Sequence, residues 1–218
     1  MRGLTLAIFD IDGTLVTGPS LEKRLFSLLF RHGWLGPKQL LAFARFGFGY
    51  ARDFGRHTMK KNKAYLTDLP CADVEALVSD WVRRAAPGWW YPPALARLRE
   101  HQAAGDTVVL LSGTPQFVAD ALAHELGVAR AMGTCCAAEG GRFCADPPLV
   151  HPFGAEKRAL AETLCAEFGA GAAAMFAYGD SVHDLPLLHY AGHPVAVRPD
   201  AALLAVATAA GFEILGRR

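Results

Sequence analysis

Apolar and polar positions alternate along this chain in two rhythms, and the places where one rhythm gives way to the other organise it. Leu4-Thr5-Leu6-Ala7-Ile8-Phe9 is an apolar run of strand length that stops at Asp10-Ile11-Asp12-Gly13. From there to about residue 87 the pattern is helical, too long for a simple crossover and therefore read as an inserted subdomain. Leu21, Leu25, Leu28 and Leu29 form one face of a helix from Ser20 to about His32. Gly33, Gly36 and Pro37 break it, and a second helix is expected from about Lys38 to Phe48. The stretch from about Ala51 to Leu69 is read as helical too, and Asp73 is the expected N-cap of a helix from Val74 to Ala85.

Beyond the insert, strand and helix alternate. Pro92-Pro93 opens a helix that ends near Gly105. Thr107 to Leu111 is a buried strand running into Ser112-Gly113-Thr114-Pro115 and a helix from Gln116 to Leu126. Ala129 to Cys136 and Gly141 to Cys144 read as a hairpin around Glu139-Gly140-Gly141. Glu156 to Phe168 is an amphipathic helix, Ala173 to Tyr178 a strand ending in Gly179-Asp180-Ser181-Val182-His183-Asp184, and Pro194 to Val197 another strand. A helix from Asp200 to Ala209 and an edge strand from Phe212 to Leu215 close the chain. The expected fold is α/β, a doubly wound parallel sheet wrapped by helices.

Composition narrows the class without naming a chemistry. With 218 residues, 52% hydrophobic and 20% charged, the chain can bury one sizeable core and a modest insert. A net charge of +1 gives no global reason to expect nucleic acid as the main partner. No apolar run reaches membrane length and Met1-Arg2-Gly3 leads straight into a strand, so neither a span nor a signal peptide is expected and a cytoplasmic location is. Cys71, Cys135, Cys136, Cys144 and Cys165 lack paired metal or dithiol spacing and read as reduced thiols; a bridge from Cys135 or Cys136 to Cys144 is the lesser alternative. The insert is locally basic and aromatic: from Lys23 to Lys63 the acids are outnumbered, with only Glu22 and Asp53 against a run of Lys and Arg. Most of that charge reads as a solvated face and most of the rings as helix packing, with RNA or a membrane surface as an accessory alternative.

The chemistry lies where strands end. In an open α/β sheet the carboxyl ends of strands face the crevice that holds the ligand, which makes Asp10 a candidate nucleophile or metal ligand. Asp12 either joins it or merely closes an Asp-Gly turn. Ser112 and Gly113 at a strand-to-helix junction make an anion cradle, and Asp180 and Asp184 bring further carboxylates to the same edge. Lys157 sits in a first helical turn, where the helix dipole disfavours it, so it is either drawn by an anion or a surface lysine. Crowded carboxylates need a cation, and hard oxygen ligands suit Mg²⁺ better than zinc.

In order and spacing, Asp10-Ile11-Asp12-Gly13-Thr14-Leu15, Ser112, Lys157 and Gly179-Asp180-Ser181 through Asp184 resemble the four motifs of the haloacid-dehalogenase-like (HAD) phosphatases, in the phosphoserine-phosphatase-like branch. The resemblance spans essentially the whole chain. It implies a Rossmann-like HAD core from residues 1–15 and 88–218, with an all-helical cap at 16–87. It also implies a Mg²⁺-dependent phosphatase of small-molecule phosphomonoesters. Asp10 would be the nucleophile that becomes an aspartyl-phosphate, and Asp12 the general acid and base, its neutral form favoured by neighbouring carboxylates. Ser112, Gly113 and Lys157 would hold the phosphate. Mg²⁺ would be bound by Asp10, the Asp12 carbonyl and Asp180, with Asp184 orienting a metal-bound water or Lys157 from behind. Dehalogenation is disfavoured, since those relatives lack the Asp12 acid. No acid precedes Glu22 to hold a serine amine, and His183 stands where phosphoserine phosphatases have Asn. Another phosphomonoester is therefore expected, histidinol phosphate among the candidates, with Arg52, Arg56, His57 and His183 as specificity residues. A phosphotransferase or phosphomutase using the same intermediate, and a non-catalytic HAD-fold binding protein, are the alternatives; oligomeric state is left open between monomer and dimer.

Overall fold

The computed structural model describes residues 4–217, so the Met1-Arg2-Gly3 start behind the no-leader expectation lies outside the described residues. The first strand, β1 (Leu6–Phe9), is buried throughout and sits at the centre of the sheet. Behind it come α1 (Leu21–Arg31), α2 (Pro37–Gly49), the short α3 (Ala51–Phe54) and α4 (Thr58–Lys61), and α5 (Cys71–Ala85). The alternating half follows as α6 (Pro92–Ala104), β2 (Thr107–Pro115), α7 (Gln116–Leu126), β3 (Arg130–Thr134), β4 (Ala138–Glu139), β5 (Arg142–Phe143) and α8 (Ala155–Phe168). It ends with β6 (Met175–Gly179), α9 (Leu185–Leu188), β7 (His193–Val197), α10 (Ala201–Ala210) and β8 (Glu213–Leu215). Six strands form one parallel sheet in the order β3-β2-β1-β6-β7-β8, the Rossmann-like α/β arrangement expected of HAD proteins.

Alternation along each strand divides the core between two layers. Ala7, Phe9, Val108, Leu110 and Tyr178 face α6 and α7, and their cluster continues into Leu21, Leu25, Val74 and Val78 of the helices after β1. Leu6, Ile8, Val109, Leu111 and Ala177 face α8, α9 and α10 through Leu164, Leu187 and Leu203. Both sheet faces are thus covered, which explains why the strands read as continuous apolar runs. None of the helices among the described residues is long and apolar enough to cross a membrane.

Three local expectations need correction, and the expectation of free thiols holds. Arg130–Thr134 does not fold back as a hairpin arm: it pairs in parallel with β2, and the hairpin is only β4 against β5. The open edge of β2 offers backbone groups that an isolated ribbon would lack. Gly133 allows the approach, since a Cβ there would stand 2.7 Å from the Thr114 carbonyl oxygen. Asp73 lies inside the first turn of α5, not at its cap; Pro70 is the N-cap, and the Cys71 N–H is held by the Gly141 carbonyl at 2.9 Å. The stretch from Ala51 to Leu69 is a series of short helical turns, interrupted at Gly55, whose φ of +49° ends α3. All five cysteines are free, without the alternative bridge.

Candidate active site

Parallel register places the chemistry on one edge. Phe9 pairs with Leu110 on one side and Tyr178 on the other, so Asp10 follows directly, Ser112 lies two residues beyond Leu110, and Asp180 two beyond Tyr178. The Asp10 N–H donates to the Tyr178 carbonyl at 2.9 Å, so the sheet carries the residue to its last ladder bond. A cavity of about 260 Å³ opens there, lined by Asp10, Asp12, Ser112, Gly113, Lys157, Asp180, His183 and Asp184 among others. Gly13 turns the chain away with a φ of +86°, and a Cβ at that position would lie 2.0 Å from Asp180 Oδ2. A Cβ on Gly179 would likewise meet the Asp184 side chain at 2.5 Å, so both glycines are required by close approach.

Lys157 joins the strand ends. Its Nζ donates to Asp10 Oδ1 and to Asp184 Oδ1, each at 2.6 Å, with all three side chains buried. Asp184 is fixed further: its Oδ2 accepts from the Asp180 N–H, the Ser181 N–H and the Ser181 hydroxyl, each at 3.2 Å. Although burial opposes the charge on Lys157, Asp10 and Asp184 raise its pKa above the ordinary lysine value. Burial, opposed by Lys157 and reinforced by Asp184 and Asp180, pushes the Asp10 carboxyl well above the usual carboxylate range. Asp10, Asp180 and Asp184 each offer an oxygen within 4.8 Å of the others, a donor set of the kind that holds a hard cation.

Asp12 stands apart from that crowd. Its Oδ1 accepts from the Leu21 N–H at the start of α1, and its Oδ2 from the Thr114 hydroxyl, each at 2.7 Å. Its hydrogen bonds thus come from a helix start and a hydroxyl, and the carboxylate crowding expected at Asp12 falls on Asp10. Thr114, immediately after Ser112-Gly113, was signalled only by its hydroxyl beside the motif.

A wider groove of about 920 Å³ adjoins the cavity, lined by Arg56, His57, Lys60, Lys61 and His183 together with Asp53 and Glu156. Arg56, His57 and His183 therefore gather there as specificity candidates, while Arg52 lines neither space. Phe153 lines both spaces, its ring centroid 4.4 Å from that of His183 and 5.3 Å from that of His57. Glu22 also reaches the cavity, but its Oε1 accepts from buried Lys63 Nζ at 2.6 Å. Neither member of that pair, nor Phe153, carries a motif signal; contacts across 41 residues of insert brought Glu22 and Lys63 together.

His151 borders both spaces. Thr134 Oγ1 donates to the Gly113 carbonyl at 2.6 Å, so the same hydroxyl oxygen accepts from His151 Nδ1–H at 2.8 Å. Nδ1 therefore carries a proton, and among the described residues Nε2 has no hydrogen-bond partner.

The sheet, the edge and the cluster define an α/β protein with a buried carboxylate centre. The chain belongs to the haloacid dehalogenase-like hydrolases, whose family pattern matches residues 7–189. Within that class it goes with proteins named phosphatases. It is 30% identical over 219 residues to the inhibition of morphological differentiation protein of Streptomyces azureus, covering 97% of this chain and 78% of that one. It is also 30% identical over 243 residues to a histidinol-phosphatase of Neisseria meningitidis, covering 96% and 97%. A substrate-bound phosphoserine phosphatase structure superposes with a TM-score of 0.66 at 18% identity, covering 100% of this chain and 95% of that one, and so shares the fold.

Acid should act on this fold through His151. Burial, with Lys63, Lys61, Lys60 and Lys157, holds its pKa down to about 3 from 6.5. Between those values the unfolded chain takes up a proton that the native state refuses, so stability present above pH 6.5 is lost as pH falls, by up to about 1.4 kcal/mol per pH unit. In urea unfolding at stepped pH, His151→Phe should lose this part of the slope. Parallel pH curves for the two proteins would contradict it.

Proposed function

We propose that the chain is a Mg²⁺-dependent phosphatase that hydrolyses a small-molecule phosphomonoester through an aspartyl-phosphate on Asp10. The observation that carries the reading is the buried junction of Lys157 with Asp10 and Asp184 beside Ser112 and Gly113. An anionic nucleophile can approach an anionic phosphate only where fixed positive charge offsets the repulsion, and Lys157 supplies it at 2.6 Å. Family membership and the phosphatase-named relatives support the same conclusion.

Mg²⁺ fits the site, because three buried carboxylates converge with their oxygens within 4.8 Å and Gly13 leaves room for Asp180. Asp10 and Asp180 would hold the ion with the Asp12 carbonyl, and Asp184 would sit behind them. When bound, the ion neutralises charge on the phosphoryl group and orients it.

The chain's own groups do the rest. An Asp10 carboxylate oxygen attacks phosphorus and the ester oxygen leaves with the electron pair, taking a proton from the Asp12 carboxyl. For that, Asp12 must carry a proton, and the Thr114 hydroxyl, a donor in the resting state, can rotate to accept from it. In the second half Asp12 takes a proton from the attacking water, and Asp10 is released with inorganic phosphate. Ser112, Gly113 and Lys157 hold the phosphoryl oxygens throughout. Residues 16–87 form a cap on a core of 1–15 and 88–218, and that cap screens the site from water.

Substrate choice follows from the walls. Glu22, the first acid after the Asp10-Ile11-Asp12 motif, lines the cavity but is already paired with Lys63, which argues against phosphoserine. Arg56, His57 and His183 would contact the alcohol part, and the Neisseria relative makes histidinol phosphate the first ester to test.

A panel of phosphomonoesters with Mg²⁺, read as kcat/KM, should show turnover that chelation removes and Mg²⁺ restores. Asp10→Asn should abolish it while the circular dichroism stays native; substantial activity in that variant would remove the nucleophile. Thr114→Val should lower kcat about tenfold through loss of one hydrogen bond to Asp12, with KM little changed. An unchanged kcat would separate Thr114 from the proton transfer.

A further inference from the structure

Helix α2 is apolar on the wrong side for a helix that only caps a core. It buries Gln39 and Phe46, yet Leu40, Leu41 and Phe48 are exposed, Phe48 by 88%. With Ala44, positions 40, 44 and 48 fall four residues apart, one above another on the outer face, and Leu41 adjoins them. Elsewhere in the insert, Phe30 on α1 is 66% exposed and Met59 on α4 is 57% exposed. Among the described residues, the exposed large hydrophobics outside this insert are only Leu4, Leu149 and Val182. Concentration of apolar side chains in one part of the surface marks an interaction site rather than ordinary scatter.

The same segment is strongly basic. Between Lys23 and Lys63 the single acid is Asp53; Lys63 is buried against Glu22 and Lys38 is paired with Asp68, but Arg31, Arg45 and Arg52 are exposed. Arg45 and Arg52 bracket the exposed Phe48 along the chain, and Arg31 follows the exposed Phe30. Two copies of this face would bring like charges together, which disfavours self-association. Nucleic acid would satisfy the charge but leave Leu40, Leu41 and Met59 without a partner, because bases stack on rings and not on aliphatic chains. An anionic bilayer takes both kinds of group: headgroups for the cations and the acyl boundary for the apolar side chains.

We propose that the outer face of α2, with Phe30 and Met59, docks on the surface of an anionic phospholipid bilayer. The docking is peripheral, since α2 has 13 residues, too few to span a bilayer. It does not depend on the catalytic reading.

The full chain, spun with vesicles of phosphatidylcholine alone or doped with phosphatidylglycerol, is the test. Binding to the doped vesicles should exceed binding to the neutral ones by at least about tenfold and fall at high salt. Leu41→Ser with Phe48→Ser should weaken it by at least about tenfold, and Arg45→Glu should weaken it on doped vesicles only. These positions are exposed, so native circular dichroism is expected in each variant; should one fail to fold, the wild-type comparison of the two vesicle types decides by itself. Equal or absent binding to both vesicles overturns the proposal. So does binding to a single-stranded RNA oligomer, or a dimer, that the Leu41→Ser and Phe48→Ser changes abolish while vesicle binding persists.

Discussion

A lysine and two aspartates buried together, with bonds of 2.6 Å from Lys157 to Asp10 and to Asp184, set the terms for the rest of this molecule. Removing three charged groups from water costs several kcal/mol each, and only close, well-oriented partners offset that. The geometry is supplied by separate parts of the chain: a sheet strand for Asp10, the start of α8 for Lys157, and the turn after β6 for Asp184. Holding them in register requires the whole sheet. Asp180, Gly13 and Gly179 are packed so closely around the junction that any side chain at either glycine would displace a carboxylate.

Function follows from how the acids are separated. Asp10 shares the crowded, lysine-bound position where charge is focused. Asp12, two residues on, receives bonds from the Leu21 N–H and the Thr114 hydroxyl, away from the other carboxylates. Two chemically identical side chains thus occupy unlike environments, as the proposed division between a nucleophile and a proton-handling acid requires. The insert contributes the Leu21 N–H to Asp12 and the Lys63–Glu22 pair to the cavity wall, so insert and candidate site are joined by hydrogen bonds as well as by sequence.

Much of this was legible in the chain because buried parallel strands are written as apolar runs, and polar residues that end such runs stand out. Asp10, Ser112 and Asp180 announce themselves in this way, Lys157 only by its place in a first helical turn, and their order carries the family resemblance. Thr114, Glu22, Lys63 and Phe153 do not, because their roles arise from contacts distant in sequence that leave no periodic trace. The parallel pairing of Arg130–Thr134 was missed for a related reason: a short strand beside turn residues looks the same whether it pairs with its neighbour or with a sheet edge. Asp73 shows the limit of local capping rules, since Pro70 and the Gly141 carbonyl start α5 a few residues earlier. Arg52 had the charge of a substrate contact but not the position, and charge alone does not tell which way a residue faces.

The central claim is that the phosphoryl group passes through Asp10. Quenching turnover in acid, reducing the trapped acyl phosphate with borohydride and mapping the product by mass spectrometry tests it directly. The account predicts conversion of Asp10 to homoserine, dependent on substrate and absent at Asp12, Asp180 and Asp184. Conversion at another aspartate, or sustained turnover with no converted residue, would contradict it.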